Sequence, residues 1–148
     1  LFPYTTLFRS QRIALGCTLI GRTESERQSN EKLCEFLHDL NLKDGGDVSD
    51  LMFQINRRRD AECAKAPKGL RLNRLSRWTS IKLHHAAISA GAVLVADTSG
   101  PVESAIRVDL DINTVPEFTR VLPQVSLLPL LDEFYDLAEE LAKKGDPA

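Results

Sequence analysis

Apolar residues recur along this chain with two different periods. They fall at every second position in residues 12–20, where Ile13, Leu15, Cys17 and Leu19 share a side. The same holds in 51–55, with Leu51, Phe53 and Ile55 on one side and Met52, Gln54 and Asn56 on the other. In 105–113, Ile106, Val108, Leu110 and Ile112 alternate with Arg107, Asp109, Asp111 and Asn113. Period two predicts half-buried strands. Gly21 is expected to end the first strand, and Leu70 and Leu72 resume the alternation after a polar stretch, 57–68, that reads as a mobile hairpin loop. Residues 78–88 fit either period; Trp78, Thr79 and Ile81 favour a strand. A short apolar run at 92–96 precedes a turn at Ser99-Gly100-Pro101.

Two stretches switch to the helical period. In 24–40, Leu33, Phe36, Leu37 and Leu40 form one stripe, with Ser29 or Asn30 suited to cap the start. After a turn-forming Asp44-Gly45-Gly46-Asp47 and the strands, Leu127, Leu130, Leu131, Phe134, Leu137, Ala138 and Leu141 make a wide apolar stripe. Ser126 is its expected N-cap, Pro129 belongs in its first turn, and Lys143, Lys144 and Gly145 suit its C-terminus. The pattern predicts an α+β fold: an antiparallel sheet with two amphipathic helices packed on one face.

Composition, 43% hydrophobic and 27% charged over 148 residues, is that of a globular chain with enough length for one domain. No apolar run approaches membrane-spanning length. Cys17, Cys34 and Cys63 lie without C-x-x-C spacing, which argues against a disulfide framework and for a reducing, cytoplasmic setting.

Residues 1–10, Leu1-Phe2-Pro3-Tyr4-Thr5-Thr6-Leu7-Phe8-Arg9-Ser10, stand apart. They match in one frame the codons CTC TTT CCC TAC ACG ACG CTC TTC CGA TCT, and so resemble the translated end of a short-read sequencing adapter. Such a scar is excluded from fold reasoning. The expectation is a metagenomic fragment: a foreign 1–10 joined to a single domain, 11–148, that is the C-terminal part of a longer protein.

Charge singles out the middle of the chain. Residues 55–85 hold nine basic side chains against Asp60 and Glu62, a balance of +7 in a chain of net charge −2. Within this island the dipeptide Asn-Arg occurs twice, as Asn56-Arg57 and Asn73-Arg74, each after an apolar run. If those runs pair, Arg57 and Arg74 reach one rim, with Arg77 and Trp78 following. Arg forks bind carboxylate or phosphate, and Asn reads amides or base edges. The candidate binding residues are therefore Asn56, Arg57, Asn73, Arg74, Arg77 and Trp78. The expected occupant is an acidic protein partner or the missing N-terminal region. A nucleic acid is the alternative, though Trp78 is the one aromatic near the basic run. Equally, the arginines could be answered internally by Glu103, Asp109 or Asp111, and the Asn side chains could close local turns.

Catalytic signals are sparse. Asp109 and Asp111 share a strand face and could hold a metal or act as acid and base, the basis of an alternative metal-dependent enzyme. His84-His85 would point to opposite faces of a strand, so the pair cannot easily hold one ion. Phosphate-cradling glycine loops, nucleophile elbows and H-E-x-x-H or C-x-x-C spacings do not occur, so the residues imply no cofactor and no metal. The run Phe53-Gln54-Ile55-Asn56-Arg57-x-Arg59, then Leu72-Asn73-Arg74-Leu75-Ser76-x-Trp78, then Asp109-Leu110-Asp111-Ile112-Asn113-Thr114 resembles a pattern in bacterial proteins of no assigned activity. That resemblance implies a bacterial origin and a longer N-terminal region, and brings no catalytic residue. A non-enzymatic interaction domain is the reading the sequence favours.

Overall fold

The computed structural model describes residues 10–38, 40, 42, 48–84 and 102–146. The elements run β1 (Ala14–Thr23), α1 (Glu26–Phe36), β2 (Met52–Asn56), β3 (Arg59–Asp60), β4 (Arg71–His84), β5 (Val102–Thr114) and α2 (Gln124–Lys144). The strands form an antiparallel sheet ordered β1-β5-β4-β2, with β3 paired to β4. The described residues form five strands and two helices. The mixed α+β class, with an antiparallel sheet and two helices, is what the two periods predict, whereas β3 falls in the stretch read as a loop. Among the described residues no helix is long and apolar enough to cross a membrane. The runs at 85–101 and 1–9 lie outside the described residues, and with them His85, the apolar run at 92–96, the turn at Ser99-Gly100-Pro101 and all of the adapter-like segment except Ser10. The turn residues 44–47 lie outside them too.

The chain divides into two compact units. One comprises Leu1–Cys17, Ile55–Ser76 and Leu110–Lys143; the other comprises Thr18–Gln54, Arg77–Asp109 and Lys144–Ala148. In the first, Leu70, Leu72, Leu110 and Ile112 from the strands are buried, as are Leu130, Phe134, Leu137 and Leu141 from α2. The edge strand is fastened at its start, where Thr114 N–H donates to the Ile13 carbonyl at 3.1 Å and Ile13 N–H to Thr114 Oγ1 at 3.2 Å. Ser10 belongs here as well, its carbonyl accepting the Leu122 N–H at 2.8 Å.

α2 starts two residues before Ser126, so that serine is not its cap. It is buried within the helix and donates from Oγ to the Lys65 carbonyl at 2.6 Å. Pro129 consequently lies in the second turn rather than the first, where it removes one backbone donor from the helical ladder. Glu133, on the same helix, accepts the N–H groups of Glu62 and Cys63 at 2.8 and 3.0 Å and lies 3.6 Å from Arg59. The connection expected to be a mobile loop is therefore pinned: it contains β3, closes with Ala61 N–H on the Leu70 carbonyl, and turns through Gly69 at φ 78°. Apolar periodicity carries no information about such side-chain-to-backbone clamps.

In the second unit α1 begins at Ser25, whose extended backbone (φ −156°, ψ 161°) and Oγ accept the helix, the hydroxyl taking the Gln28 N–H at 3.2 Å. Gln28 Oε1 returns the favour to the Glu24 N–H at 2.7 Å, a variant of the capping box. Ser29 and Asn30, the expected caps, sit one turn inside and are buried. Ser29 Oγ is 2.6 Å from Thr23 Oγ1, and Asn30 donates to the Val48 carbonyl at 2.8 Å. Phe36 stacks on Trp78 with ring centroids 5.6 Å apart. β1 runs on through Gly21 to Thr23 instead of ending there.

Candidate functional site

The Asn-Arg segments are arranged by a hairpin. In the first unit Arg57 N–H donates to the Arg74 carbonyl at 3.1 Å, and β3 pairs with Arg59 opposite Leu72 and Asp60 opposite Arg71. In the second unit Ser80 N–H donates to the Leu51 carbonyl at 2.9 Å. The apolar run at 51–55 thus lies beside residues after Asn73-Arg74, and the run at 70–72 lies beside Arg59 and Asp60. The two equivalent runs do not pair with each other. An antiparallel hairpin pairs residues by their distance from its turn, and the two runs are at different distances from Gly69.

Asn56 and Asn73 nonetheless meet as diagonal neighbours. Asn56 Nδ2 donates to Asn73 Oδ1 at 3.1 Å, Asn73 Nδ2 to Asn113 Oδ1 at 2.9 Å, and Asn113 Nδ2 to Asp111 Oδ1 at 2.9 Å. Arg74 N–H completes the row on Asn56 Oδ1 at 3.1 Å. Three strands of the first unit are laced by one directional chain of amides ending on a carboxylate. The motif is neither a pair of turns nor a set of free amides: Asn73-Arg74 sits inside β4.

Strand geometry then separates each Asn from the Arg that follows it, because adjacent side chains leave a strand on opposite faces. Arg74 turns to the side of Leu72 and Ser76, both buried, and neither Arg57 nor Arg74 is without a partner. Within the first unit, Arg58 and Arg71 are the arginines that alternation places on the face of the Asn row. Arg58 pairs with Glu117 at 3.0 Å, and Arg71 with Asp60 at 3.5 Å. A hydrogen bond from its own backbone N–H holds the Glu117 carboxyl below its ordinary range, and the hydrogen bond and charge of Arg58 pull the same way against the effect of burial.

The remaining candidates belong to the second unit. Arg77 and Trp78 are adjacent on β4 and diverge for the same reason. Trp78 is 1% exposed and stacks on Phe36, so it is a core residue and offers no surface to a ligand. Arg77 donates from Nε to Gln54 Oε1 at 2.8 Å. Asp109 accepts from Thr18 Oγ1 at 2.6 Å and from Arg107 Nε at 3.0 Å. Burial pushes its carboxyl up, but those two hydrogen bonds and the charges of Arg107 and Arg77 outweigh it and hold the group below the usual carboxylate range. Glu103 pairs with Arg22 at 3.3 Å.

Among the described residues no three His, Cys, Asp or Glu side chains converge as a metal site requires. Asp109 is engaged by Thr18 and Arg107, and the exposed Asp111 accepts one hydrogen bond from Asn113. His84 is exposed at the end of β4. Cys63 is desolvated and lies beside Glu133, both of which push its thiol up, away from the nucleophilic thiolate. The residues that sequence reasoning passed over are Arg58, Arg71 and Asn113. Alternation from Asn56 and Asn73 marks the first two, and register alone marks the third. No family model, curated protein or solved structure matches the chain.

Proposed function

We propose that this chain is a non-enzymatic, cytoplasmic interaction domain that takes an acidic protein segment on the Asn-Arg face of its first unit. The observation that carries the reading is the exposure of the ion pairs flanking the amide row. Arg58 and Glu117 are 44% and 60% exposed, and Arg71 and Asp60 are 51% and 82% exposed. Solvated pairs of this kind contribute ~0–1 kcal/mol each. Carboxylates of a partner can replace Glu117 and Asp60 at little cost, while the Asn row holds the strands that carry the guanidiniums. The reading takes the helix of each unit to cover the apolar side of its own strands, leaving the amide side open. Three free thiols support the cytoplasmic setting.

The test is titration of a fluorescein-labelled polyglutamate peptide into the wild-type chain and the double variant Arg58→Glu/Arg71→Glu. Loss of two competing pairs predicts weakening by about tenfold, the equivalent of ~1.4 kcal/mol, with an unchanged melting temperature. A double variant that binds polyglutamate as the wild type does would end the proposal. Oligonucleotides that bind more tightly than polyglutamate, with salt slopes rising with phosphate number, would replace it with a nucleic-acid function.

A further inference from the structure

The outward side of α2 carries an apolar stripe that the core does not use. Val125, Leu128, Leu131 and Tyr135 recur at steps of three and four, and Val121 precedes them just before the helix. These side chains are between 42% and 66% exposed, and they are five of the nine large apolar side chains exposed among the described residues. Leu130, Phe134, Leu137 and Leu141 point elsewhere and are buried, so α2 has two distinct apolar faces. One flank of the outer stripe is acidic: Asp132 follows Leu128 by one turn, Asp136 follows Asp132, and Glu139 follows Tyr135, all exposed. Across the helix five acidic residues stand against two basic ones, and Lys143 is already engaged by Glu139 at 2.8 Å.

A contiguous apolar strip rimmed by charge marks a surface that meets another molecule. We propose that this face of α2 docks a basic amphipathic helix, its apolar side on Val125, Leu128, Leu131 and Tyr135 and its Lys or Arg residues on Asp132 and Asp136. Charge selects this occupant. Antiparallel two-fold pairing of α2 with a second copy would set both acidic flanks on the same side of the interface, where they repel. An anionic lipid surface would meet the same carboxylates. The stripe from Val125 to Tyr135 spans about 15 Å along the helix, so a partner of about three turns covers it.

The probe is a fluorescein-labelled amphipathic leucine–lysine helical peptide, compared with a scrambled peptide of equal composition and with a leucine–glutamate analogue. The wild-type chain should prefer the ordered leucine–lysine peptide over the scramble by about tenfold or more. Leu128→Gln/Tyr135→Ser, both exposed positions, should erase that preference at an unchanged melting temperature. Asp132→Lys/Asp136→Lys should transfer the preference to the leucine–glutamate peptide, an outcome that loss of folding cannot produce. Equal binding of ordered and scrambled peptides by the wild type, or wild-type affinity in Leu128→Gln/Tyr135→Ser, would overturn the proposal. So would a sedimenting dimer that the same double variant dissolves, which would assign the face to a second copy.

Discussion

The two helices reach stable packing by different chemistry. α2 is long and apolar, buries Leu130, Phe134, Leu137 and Leu141, and has a second apolar face left over. α1 is short and polar; Ser29, Asn30 and Leu33 are its buried residues. What α1 lacks in apolar area it replaces with fixed hydrogen bonds at both ends. Ser25 and Gln28 close its start. At its end the chain leaving α2 returns, Asp146 N–H donating to the Phe36 carbonyl at 3.0 Å and Asp146 bridging to Leu37. Isolated helices of eleven residues are marginal in water, so a polar helix of that length depends on such tethers. A long one with an apolar face depends on its core contacts.

The largest effect should come from emptying the core side of α2. Phe134 is fully buried, and Phe134→Ala leaves a cavity that the surrounding leucines cannot fill, at a cost of ~3–5 kcal/mol. In a chain of this size that lowers the melting temperature by about 2–4 °C per kcal/mol. Thermal unfolding followed by circular dichroism checks it. A loss below ~1 kcal/mol would mean that α2 is held by its Glu133 and Ser126 clamps rather than by apolar burial, and the contrast with α1 would collapse.

Gly145→Ala should rank next and should act on α1, although Gly145 follows α2. Gly145 has φ 80°, and a Cβ there would collide with the Phe36 carbonyl. The left-handed backbone alone costs an alanine ~1–2 kcal/mol, and the contact forces the strand-like bridge at Leu37 to open as well. Hydrogen exchange should quicken at Asp146, whose amide holds the Phe36 carbonyl, and along the last turn of α1, while the amides of α2 before Lys143 keep their protection. Uniform deprotection of both helices would show that the tether is a global rather than a local restraint.

What could be read from the sequence follows the same division. Apolar periods located both helices and the inward face of β5, because burial of Val108, Leu110, Ile112 or Phe134 is itself a periodic property, whereas Leu19, on the inferred face of β1, is exposed. Gly145 was legible as a helix stop because the left-handed position it fills has few other occupants. Leu131 was misplaced: it falls on the inferred core stripe of α2 but is 42% exposed, since a stripe wide enough to serve two faces does not say where one ends. The polar devices were less accessible. Ser25, Ser29 and Asn30 are all competent caps, and the choice between them depends on Thr23 and Val48 taking the other two. In the candidate site the repeated dipeptide pointed to Asn56 and Asn73 lying near each other, but through a pairing of the two runs that does not occur. The register that makes them diagonal neighbours depends on the hairpin, and the one that brings Asn113 into the row depends on the pairing of β4 with β5. The separation of Asn73 from Arg74 follows from alternation alone; treating the dipeptide as one unit hid it.

The smallest and most local prediction concerns the polar start of α1. Ser25→Ala removes the acceptor for the Gln28 N–H and leaves that donor to water. The expected cost is ~0.5–2 kcal/mol, at the low end because Gln28 Oε1 still anchors the Glu24 N–H from the other direction. Ser25→Asp should restore the lost stability, since a carboxylate supplies the same acceptor and adds a favourable charge beside the helix N-terminus. The cap carries the effect only if Ala and Asp differ. Urea midpoints measured for both variants decide it: equal losses would show that the serine acts through the geometry of the chain leaving Thr23, and the reading of α1 as a helix held by its terminal hydrogen bonds would lose its N-terminal half.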